Sequence, residues 1–185
     1  MKATPTAIPD VVVIEPKVFG DARGFFYESF NNKAFDEVVG RHVDFVQDNQ
    51  SLSAPVGTLR GLHFQSAPFA QDKLVRVTRG RILDVAVDIR ASSPSFGKHV
   101  AVELSAENWK QLLVPTGFAH GFVTLEPDTE VLYKVTAPYA PENDHGLAFD
   151  DPALGIDWRL PLSGLTLSDK DRKHPRLAEM LRYFD

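Results

Sequence analysis

The apolar residues of this 185-residue chain lie in short runs rich in Val, Ile and Phe, with turn residues between them. Thirteen prolines and 12 glycines are spread along the whole length. Short, regularly spaced strands with turn signals between them are typical of a β-sandwich or barrel. Because no repeat, low-complexity tract or Ser/Gly-rich linker divides the chain, we predict one all-β domain covering residues 1–185.

Ten segments have the composition and alternation of β-strands. They are Val11–Glu15, Phe25–Phe30, Asp44–Asp48, Thr58–Gln65, Lys73–Thr78, Ile82–Ile89, His99–Leu104, Lys110–Val114, Gly121–Leu125 and Glu130–Val135. In the sixth segment one face is uniformly apolar and should look into a core: Leu83, Val85, Val87 and Ile89. Helical periodicity is confined to Asn32–Val39 and Leu177–Arg182. The pattern predicts a cupin-like antiparallel jelly roll with a few short peripheral helices.

Composition excludes several classes of protein. The chain has 20 Lys and Arg against 25 Asp and Glu, a net charge of −5, which argues against a nucleic-acid-binding protein. Without cysteine it has no disulfide, zinc finger, iron–sulfur cluster or thiol nucleophile. No apolar run approaches the length of about 18 residues that spans a membrane, and no signal-peptide pattern is present. We therefore expect a cytoplasmic protein with no membrane or nucleic-acid partner.

The densest group of polar residues within an apolar segment is Thr58–Gln65, which contains Arg60 and His63. His63 is interpreted either as a hydrogen-bonded core residue or as a catalytic base. Strict alternation places Arg60 and His63 on opposite faces of a strand. A β-bulge at Gly61 would bring them to the same face.

A second polar position, His120, lies in the segment Val114–Phe122, where Pro-x-Gly and then the histidine lead into a predicted strand. This position would lie at the mouth of a barrel. Histidines at this position of small β-barrels often bind metal, usually together with a His-x-His pair on an earlier strand. This chain has no His-x-His pair. Its other histidines are dispersed along the sequence: His42, His99, His145 and His174. The sequence therefore predicts no metal site.

Three further positions have both a structural and a functional interpretation. Lys73 opens an apolar strand and is either a solvated strand end or a cation facing a ligand. Tyr133 shares a strand face with Val131 and Val135, so its ring should point inward, as a packed core residue or a proton donor. The acids in Leu167–Asp171 form either a solvated turn or part of a site.

Two segments could bind a nucleotide. Phe19–Glu28 combines aromatic rings with Arg23, and Gln47–Ser51 supplies a run of amides. Aromatic faces stack on nucleobases and guanidinium groups bind phosphate, although an arginine in such a turn is more often a surface residue. The glycine spacings of the P-loop and of the dinucleotide fingerprint are both absent.

The chain resembles the dTDP-4-dehydrorhamnose 3,5-epimerases, the sugar-nucleotide epimerases of the rhamnose pathway. Arg-Gly-Leu-His-Phe-Gln at 60–65 and Gly-Phe-Ala-His-Gly-Phe at 117–122 form a specific pair of motifs. Six more matching stretches follow the family order: Phe19–Glu28, Phe45–Ser51, Lys73–Gly80, Asp88–Gly97, Tyr133–Val135 and Leu167–Asp171. Together they cover nearly the whole chain.

The resemblance implies a homodimer that needs neither a metal nor an organic cofactor. It implies that His63 is the general base, Tyr133 the general acid, Asp171 the partner of His63, and Lys73 the cation at the keto oxygen. Asp169 lies two residues away and leaves the partner of His63 open. Substrate-contacting positions are implied at Phe19, Arg23, Phe26, Glu28, Gln47, Asp48, Asn49, Arg60, His63, Lys73, His120, Tyr133, Asp144 and Lys170. Asp144 stands where the family often has glutamate.

The implied reaction converts dTDP-4-dehydro-6-deoxy-D-glucose to dTDP-4-dehydro-L-rhamnose. Carbons 3 and 5 both flank the 4-keto group, so each is inverted by removing a proton from one face and adding one from the other. A histidine, with a pKa of about 6.5, suits the base, and a tyrosine, with a pKa of about 10, suits the acid. Three alternatives are a mono-epimerase at carbon 3 or 5, a non-catalytic nucleotide-sugar-binding module, and a metal-dependent cupin.

Overall fold

Two antiparallel sheets face each other, and the computed structural model describes all residues from 1 to 185. The strands are β1 (Lys2–Pro5), β2 (Val12–Glu15), β3 (Phe19–Asp21), β4 (Gly24–Phe26), β5 (Gln47–Ser53), β6 (Leu59–Gln65), β7 (Lys73–Arg79), β8 (Arg81–Asp88), β9 (His99–Ser105), β10 (Gln111–Val114), β11 (Phe118–Thr124), β12 (Thr129–Val135) and β13 (Asp144–Gly146). One sheet has the order β1-β2-β10-β7-β12-β5, the other β13-β6-β11-β8-β9, and β3 pairs with β4 as a hairpin. The predicted all-β jelly roll is confirmed.

The helix α1 (Asn32–Val39) has the predicted bounds. The side chain of Asn31 caps its start by accepting a hydrogen bond from the Ala34 N–H at 3.2 Å. Gly40, with φ of 77°, ends it in the left-handed conformation. Three short 3₁₀ helices cover Pro141–Asn143, Leu162–Gly164 and Asp171–Lys173. None of the helices is long and apolar enough to cross a membrane.

The predicted helix Leu177–Arg182 is wrong, because this segment forms turns and irregular structure. Its apolar residues Leu177 and Met180 pack on the outer face of the five-stranded sheet instead. Tertiary packing of this segment outweighs its helical spacing.

Strand boundaries differ from prediction where pairing is long-range. The predicted strand Phe25–Phe30 stops at Phe26 and pairs with β3, which the sequence did not predict. The predicted strand Asp44–Asp48 begins at Gln47 and extends to Ser53, because β12 pairs with it along seven residues. The short strands β1 and β13 were also not predicted; they pair with β2 and β6.

The apolar core has three parts. One lies between the two sheets, one lies outside the five-stranded sheet beneath the C-terminal segment, and one lies beneath α1 outside the six-stranded sheet. Strand β8 is buried on both faces. Its predicted core face belongs to the part beneath the C-terminal segment: Leu83, Val85, Val87 and Ile89. The opposite face, with Ile82, Asp84 and Ala86, looks into the space between the sheets.

The pairing of β6 with β11 contains a register shift. His120 and Phe122 lie two residues apart, but their partners His63 and Arg60 lie three residues apart. The extra residue in β6 is a β-bulge, as predicted, and it brings Arg60 and His63 to one face. Gly61 permits it, since its φ is 131° and a Cβ there would lie 2.5 Å from the Cα of Gly121.

We expect Gly61→Ala to destabilise the fold more than Gly24→Ala. Both glycines have nearly the same φ, 131° and 129°, but a Cβ on Gly24 meets nothing within 4 Å. The backbone strain of about 1–3 kcal/mol is common to both variants. The collision with β11 should cost Gly61→Ala roughly 1–3 kcal/mol more. Urea denaturation of the two variants measures the difference, and equal losses would contradict a close approach of β6 to β11.

Candidate active site

A cavity of about 280 Å³ opens between the two sheets. Five strands and one loop provide its walls. Strands β5, β6, β7, β11 and β12 carry Ser51, Arg60, His63, Lys73, His120, Phe122 and Tyr133, and the loop that leads into the last 3₁₀ helix carries Ser168, Lys170 and Asp171. A neighbouring hollow of about 330 Å³ shares His63, Lys73 and Tyr133 and adds Gln47, Asn49 and Asp144. The four residues expected to carry catalysis therefore line one cavity.

His63 and Asp171 form a hydrogen-bonded pair across 108 residues of sequence, with 2.5 Å between Nε2 and Oδ1. Asp171 begins a 3₁₀ helix and its side chain is only 5% exposed. A carboxylate accepts hydrogen bonds, so the proton of the neutral imidazole lies on Nε2 and the lone pair on Nδ1. Asp171, rather than the exposed Asp169, is thus the carboxylate in contact with His63.

Burial controls the protonation of this pair. It lowers the pKa of His63, although the charge of Asp171 opposes the shift. Burial also raises the pKa of Asp171, but the adjacent imidazoles of His174 and His63 outweigh it and hold that pKa well below its usual range. At neutral pH His63 is a free base beside a charged carboxylate.

Lys73 and Tyr133 occupy the opposite wall, on β7 and β12 of the six-stranded sheet. Burial lowers the pKa of Lys73 to about 8, with partial compensation by Asp144 and Asp84. Burial raises the pKa of Tyr133 above its ordinary value of 10.0, so its hydroxyl stays protonated. One wall thus offers a base, and the other an ammonium group and a phenol.

His120 is held by Asp84, with 2.8 Å between Nε2 and Oδ1 and both side chains buried. It lines the cavity from β11.

A histidine other than His120 lies in a group of side chains that could bind a metal ion, and this histidine is His174. His63, Asp171 and His174 have ligand atoms within 4.8 Å of one another. The sequence reasoning treated His174 as dispersed, although the Asp171-x-x-His174 spacing puts both side chains on one face of a helical turn.

Other predicted contact residues surround the mouth of the cavity. Asp144 accepts hydrogen bonds from Lys170 and, at 3.1 Å, from the hydroxyl of Tyr139. Gln47 donates to Asn49 at 2.8 Å. Asp48 instead pairs with Lys134 at 2.9 Å, outside the cavity and its neighbouring hollow.

The predicted contacts from the N-terminal segment lie apart from the cavity in the single chain. Phe19 is 54% exposed and Phe26 68% exposed on the β3–β4 hairpin. With Arg23 they line a surface hollow that shares no residue with the cavity. Arg23 is paired with Asp21 at 2.6 Å, and the exposed Glu28 accepts from Asn31.

Comparison with known proteins shows which family this chain belongs to. The family model described as dTDP-4-dehydrorhamnose 3,5-epimerase matches residues 5–179. The chain belongs to this family. It is 56% identical over 174 residues to the dTDP-4-dehydrorhamnose 3,5-epimerase of Sinorhizobium fredii, covering 94% of this chain and 88% of that protein. It is 54% identical to the Escherichia coli enzyme of the same name, covering 98% and 97%.

Solved structures agree with this assignment. The dTDP-6-deoxy-D-glucose-3,5-epimerase of Legionella pneumophila, crystallised with dTDP-4-keto-L-rhamnose, superposes with a TM-score of 0.93. Its sequence is 47% identical, and the match covers 97% of this chain and 94% of the other. The family predicted from the two motifs is confirmed, and the jelly roll is shared.

We expect two histidines of this chain to titrate in opposite directions from the ordinary pKa of 6.5. Burial lowers the pKa of His63, whereas the hydrogen bond that His42 donates to the Asp36 carboxylate raises the pKa of this exposed histidine. NMR titration of the imidazole nitrogens measures both. In Asp171→Asn the pKa of His63 should fall further, because the charge that partly offsets burial is removed, while His42 stays unchanged. A pKa of His63 above 6.5 in the wild type would contradict burial as the dominant cause, and a rise in the variant would contradict the effect of the Asp171 charge.

Proposed function

We propose that this chain epimerises dTDP-4-dehydro-6-deoxy-D-glucose at carbons 3 and 5 to give dTDP-4-dehydro-L-rhamnose. The observation that carries the proposal is the position of His63, on one sheet, and Tyr133, on the other, across a single cavity. Inversion at carbon needs a proton acceptor and a proton donor on opposite faces of the ring. A binding module has no need of this pair, whereas an epimerase depends on it.

The reaction starts at His63. Its Nδ1 takes the proton from a carbon next to the keto group, and the electrons of the C–H bond move into an enolate oxygen. Asp171 keeps the other ring proton on Nε2 and stabilises the imidazolium that forms. The ammonium group of Lys73 stabilises the negative oxygen, as an oxyanion hole does.

Tyr133 completes the inversion. Its hydroxyl delivers a proton to the opposite face of the same carbon, and the enolate electrons return to form the new C–H bond. The phenolate then recovers a proton from water through the open mouth of the cavity, and the imidazolium of His63 releases its proton to water, so both groups return to their starting forms. Because burial keeps Tyr133 protonated, the donor is available at neutral pH.

The charged diphosphate of the substrate needs cations, and the mouth of the cavity supplies them. Arg60 is held by Ser53 at 3.2 Å and by the carbonyl of Leu52, so its guanidinium is positioned. Lys170 lies on the facing loop beside Asp144. Both line the cavity that contains His63. We assign these side chains to the diphosphate and its sugar.

We also propose a homodimer in which the β3–β4 hairpin of one copy completes the site of the other. The hairpin exposes Phe19, Phe25 and Phe26, and large exposed apolar patches are typical of interfaces. Its Arg23 and aromatic rings suit a nucleotide, but they lie apart from the cavity of their own chain. A second copy of the chain would bury the exposed rings of the hairpin and would bring the hairpin to a cavity. The single domain and the cytoplasmic location stay predictions.

We expect His63→Asn to lose catalysis by a factor of about 10²–10⁴, because a general base is removed. Tyr133→Phe should still exchange a substrate proton but fail to invert carbon, because the base is intact and the donor is lost. The measurement is NMR of dTDP-4-dehydro-6-deoxy-D-glucose incubated with each protein in deuterated water. The exposed His42→Asn serves as the matched histidine control.

The same experiment on the wild-type protein distinguishes a double epimerase from a mono-epimerase and from a binding module. Deuterium at carbons 3 and 5 supports the double epimerase, and deuterium at one carbon alone makes the protein a mono-epimerase. Binding without exchange at either carbon would leave a nucleotide-sugar-binding module. Exchange that survives in His63→Asn would remove His63 from its role.

We expect coexpression of His63→Asn with Arg23→Ala to restore activity that neither variant has alone. In a hybrid dimer one site combines the intact His63 of one copy with the intact hairpin of the other. Random pairing makes about a quarter of all sites intact. His63→Asn coexpressed with Asp171→Asn is the control, since both changes affect the same wall and no hybrid site is intact. If neither coexpressed pair recovers activity, the result contradicts a site that is completed by the hairpin of the other copy.

A further inference from the structure

His174 lies directly behind the His63–Asp171 pair. Its Nε2 is 3.6 Å from Oδ1 of Asp171, and its ring meets that of His63 edge-on at 5.4 Å between centroids. The side chain is 9% exposed, yet Nε2 has no hydrogen-bond partner. Buried polar atoms without a partner are rare, because each costs free energy on folding.

The space for this imidazole is built into β13. Gly146 lies against the ring, and a Cβ at that position would collide with Cε1, Nε2 and Cδ2 of His174. The backbone therefore holds the ring with its unpartnered nitrogen close to Asp171. The resulting group offers two imidazole nitrogens and one carboxylate oxygen within 4.8 Å of one another.

We propose that His63, Asp171 and His174 form an inhibitory binding site for a divalent transition-metal ion, zinc above all. Imidazole and carboxylate are the ligands this ion prefers, and three protein ligands with a water form a usual tetrahedral set. Bonds of about 2.0–2.1 Å place ligand atoms about 3.3 Å apart. The separations of 2.5 Å from His63 and 3.6 Å from His174 to Asp171 lie on either side of that value.

A surface groove of about 500 Å³ reaches His174 from outside the substrate cavity. It lies between β13 and the C-terminal segment, with Asp144, Lys170 and Glu179 among its lining residues. The groove thus brings solvent to the imidazole of His174, with the carboxylates of Asp144 and Glu179 nearby. Lys170 lines both this groove and the cavity.

The inhibitory effect rests on the proposed function and follows from the single proton of a neutral imidazole. An ion bound to Nε2 of His63 displaces the proton from that nitrogen, and the remaining ring proton lies on Nδ1. The nitrogen that should accept the substrate proton then carries one already. The ion thus inactivates the base without occupying the sugar site, so kcat should fall while KM is retained.

Binding is tested with Co²⁺ alone on untagged protein stripped with EDTA. We expect one equivalent to bind with the visible absorption of a four-coordinate site. His174→Phe should weaken binding more than tenfold, since even the loss of a residue behind a ligand costs 10–100-fold. His145→Asn is the matched control, because it removes an imidazole from the same groove but not from the group, and its affinity should equal that of the wild type.

Three outcomes would overturn the site: no Co²⁺ bound to the wild type, equal affinity in His174→Phe, or an equal loss in His145→Asn. The inhibition is tested by measuring kcat and KM of each protein with Zn²⁺ and again with EDTA. Reduced kcat with unchanged KM in the wild type, relieved in His174→Phe, supports the arrangement. A raised KM at constant kcat would place the ion in the substrate cavity instead. A wild type inactive in EDTA refutes the proposed function, while the Co²⁺ titration still decides the site.

Discussion

One extra residue in β6, between Arg60 and His63, lets both side chains point into the same cavity. Their neighbours Leu62 and Phe64 point the other way, into the core beneath the C-terminal segment. The bulge requires that β6 and β11 touch at two glycines, Gly61 and Gly121, where any Cβ would collide with backbone. The C-terminal segment that covers this outer face also supplies Asp171, so the packing that buries Leu62 also fixes the partner of His63.

Burial then sets the chemistry of the cavity. Removal from water lowers the pKa of His63 and of Lys73 and raises that of Tyr133. For His63 and Tyr133 the shift favours the form that the proposed reaction uses, a free base and a protonated phenol. For Lys73 the shift works against the ammonium form, but a pKa of about 8 still leaves most of this group charged at neutral pH. One desolvated space between the two sheets shifts the pKa of all three residues, so no separate interaction is needed for each. The cost is that charged Asp171 must be buried, which the neighbouring imidazoles and Ser168 offset.

Local signals in the sequence predicted the features that depend on neighbouring residues. Helical periodicity identified α1, which Asn31 and Gly40 bound in the structure, and alternation identified the core face of β8. Features that depend on distant pairing were missed, such as β13 and the polar strand β5, which exists because β12 pairs with it. The contact of Asp171 with His63 spans 108 residues. Residue patterns alone left Asp171 in a solvated turn, and only the family motifs indicated its partner. His174 carried no such motif.

The arrangement of one base and one acid bears on how many carbons are inverted. In a 4-keto-6-deoxy sugar of the D-gluco series, the hydrogens on carbons 3 and 5 are both axial and project from the same face of the ring. A sugar bound with that face toward β6 presents both hydrogens to the wall that carries His63, and the opposite face of both carbons to Tyr133. One pair of proton carriers therefore serves two inversions in a single orientation. Between the two inversions Tyr133 must regain a proton from water and His63 must release one. A chain that inverted one carbon only would have to hold the other hydrogen away from His63, so in this geometry double epimerisation is the simpler outcome.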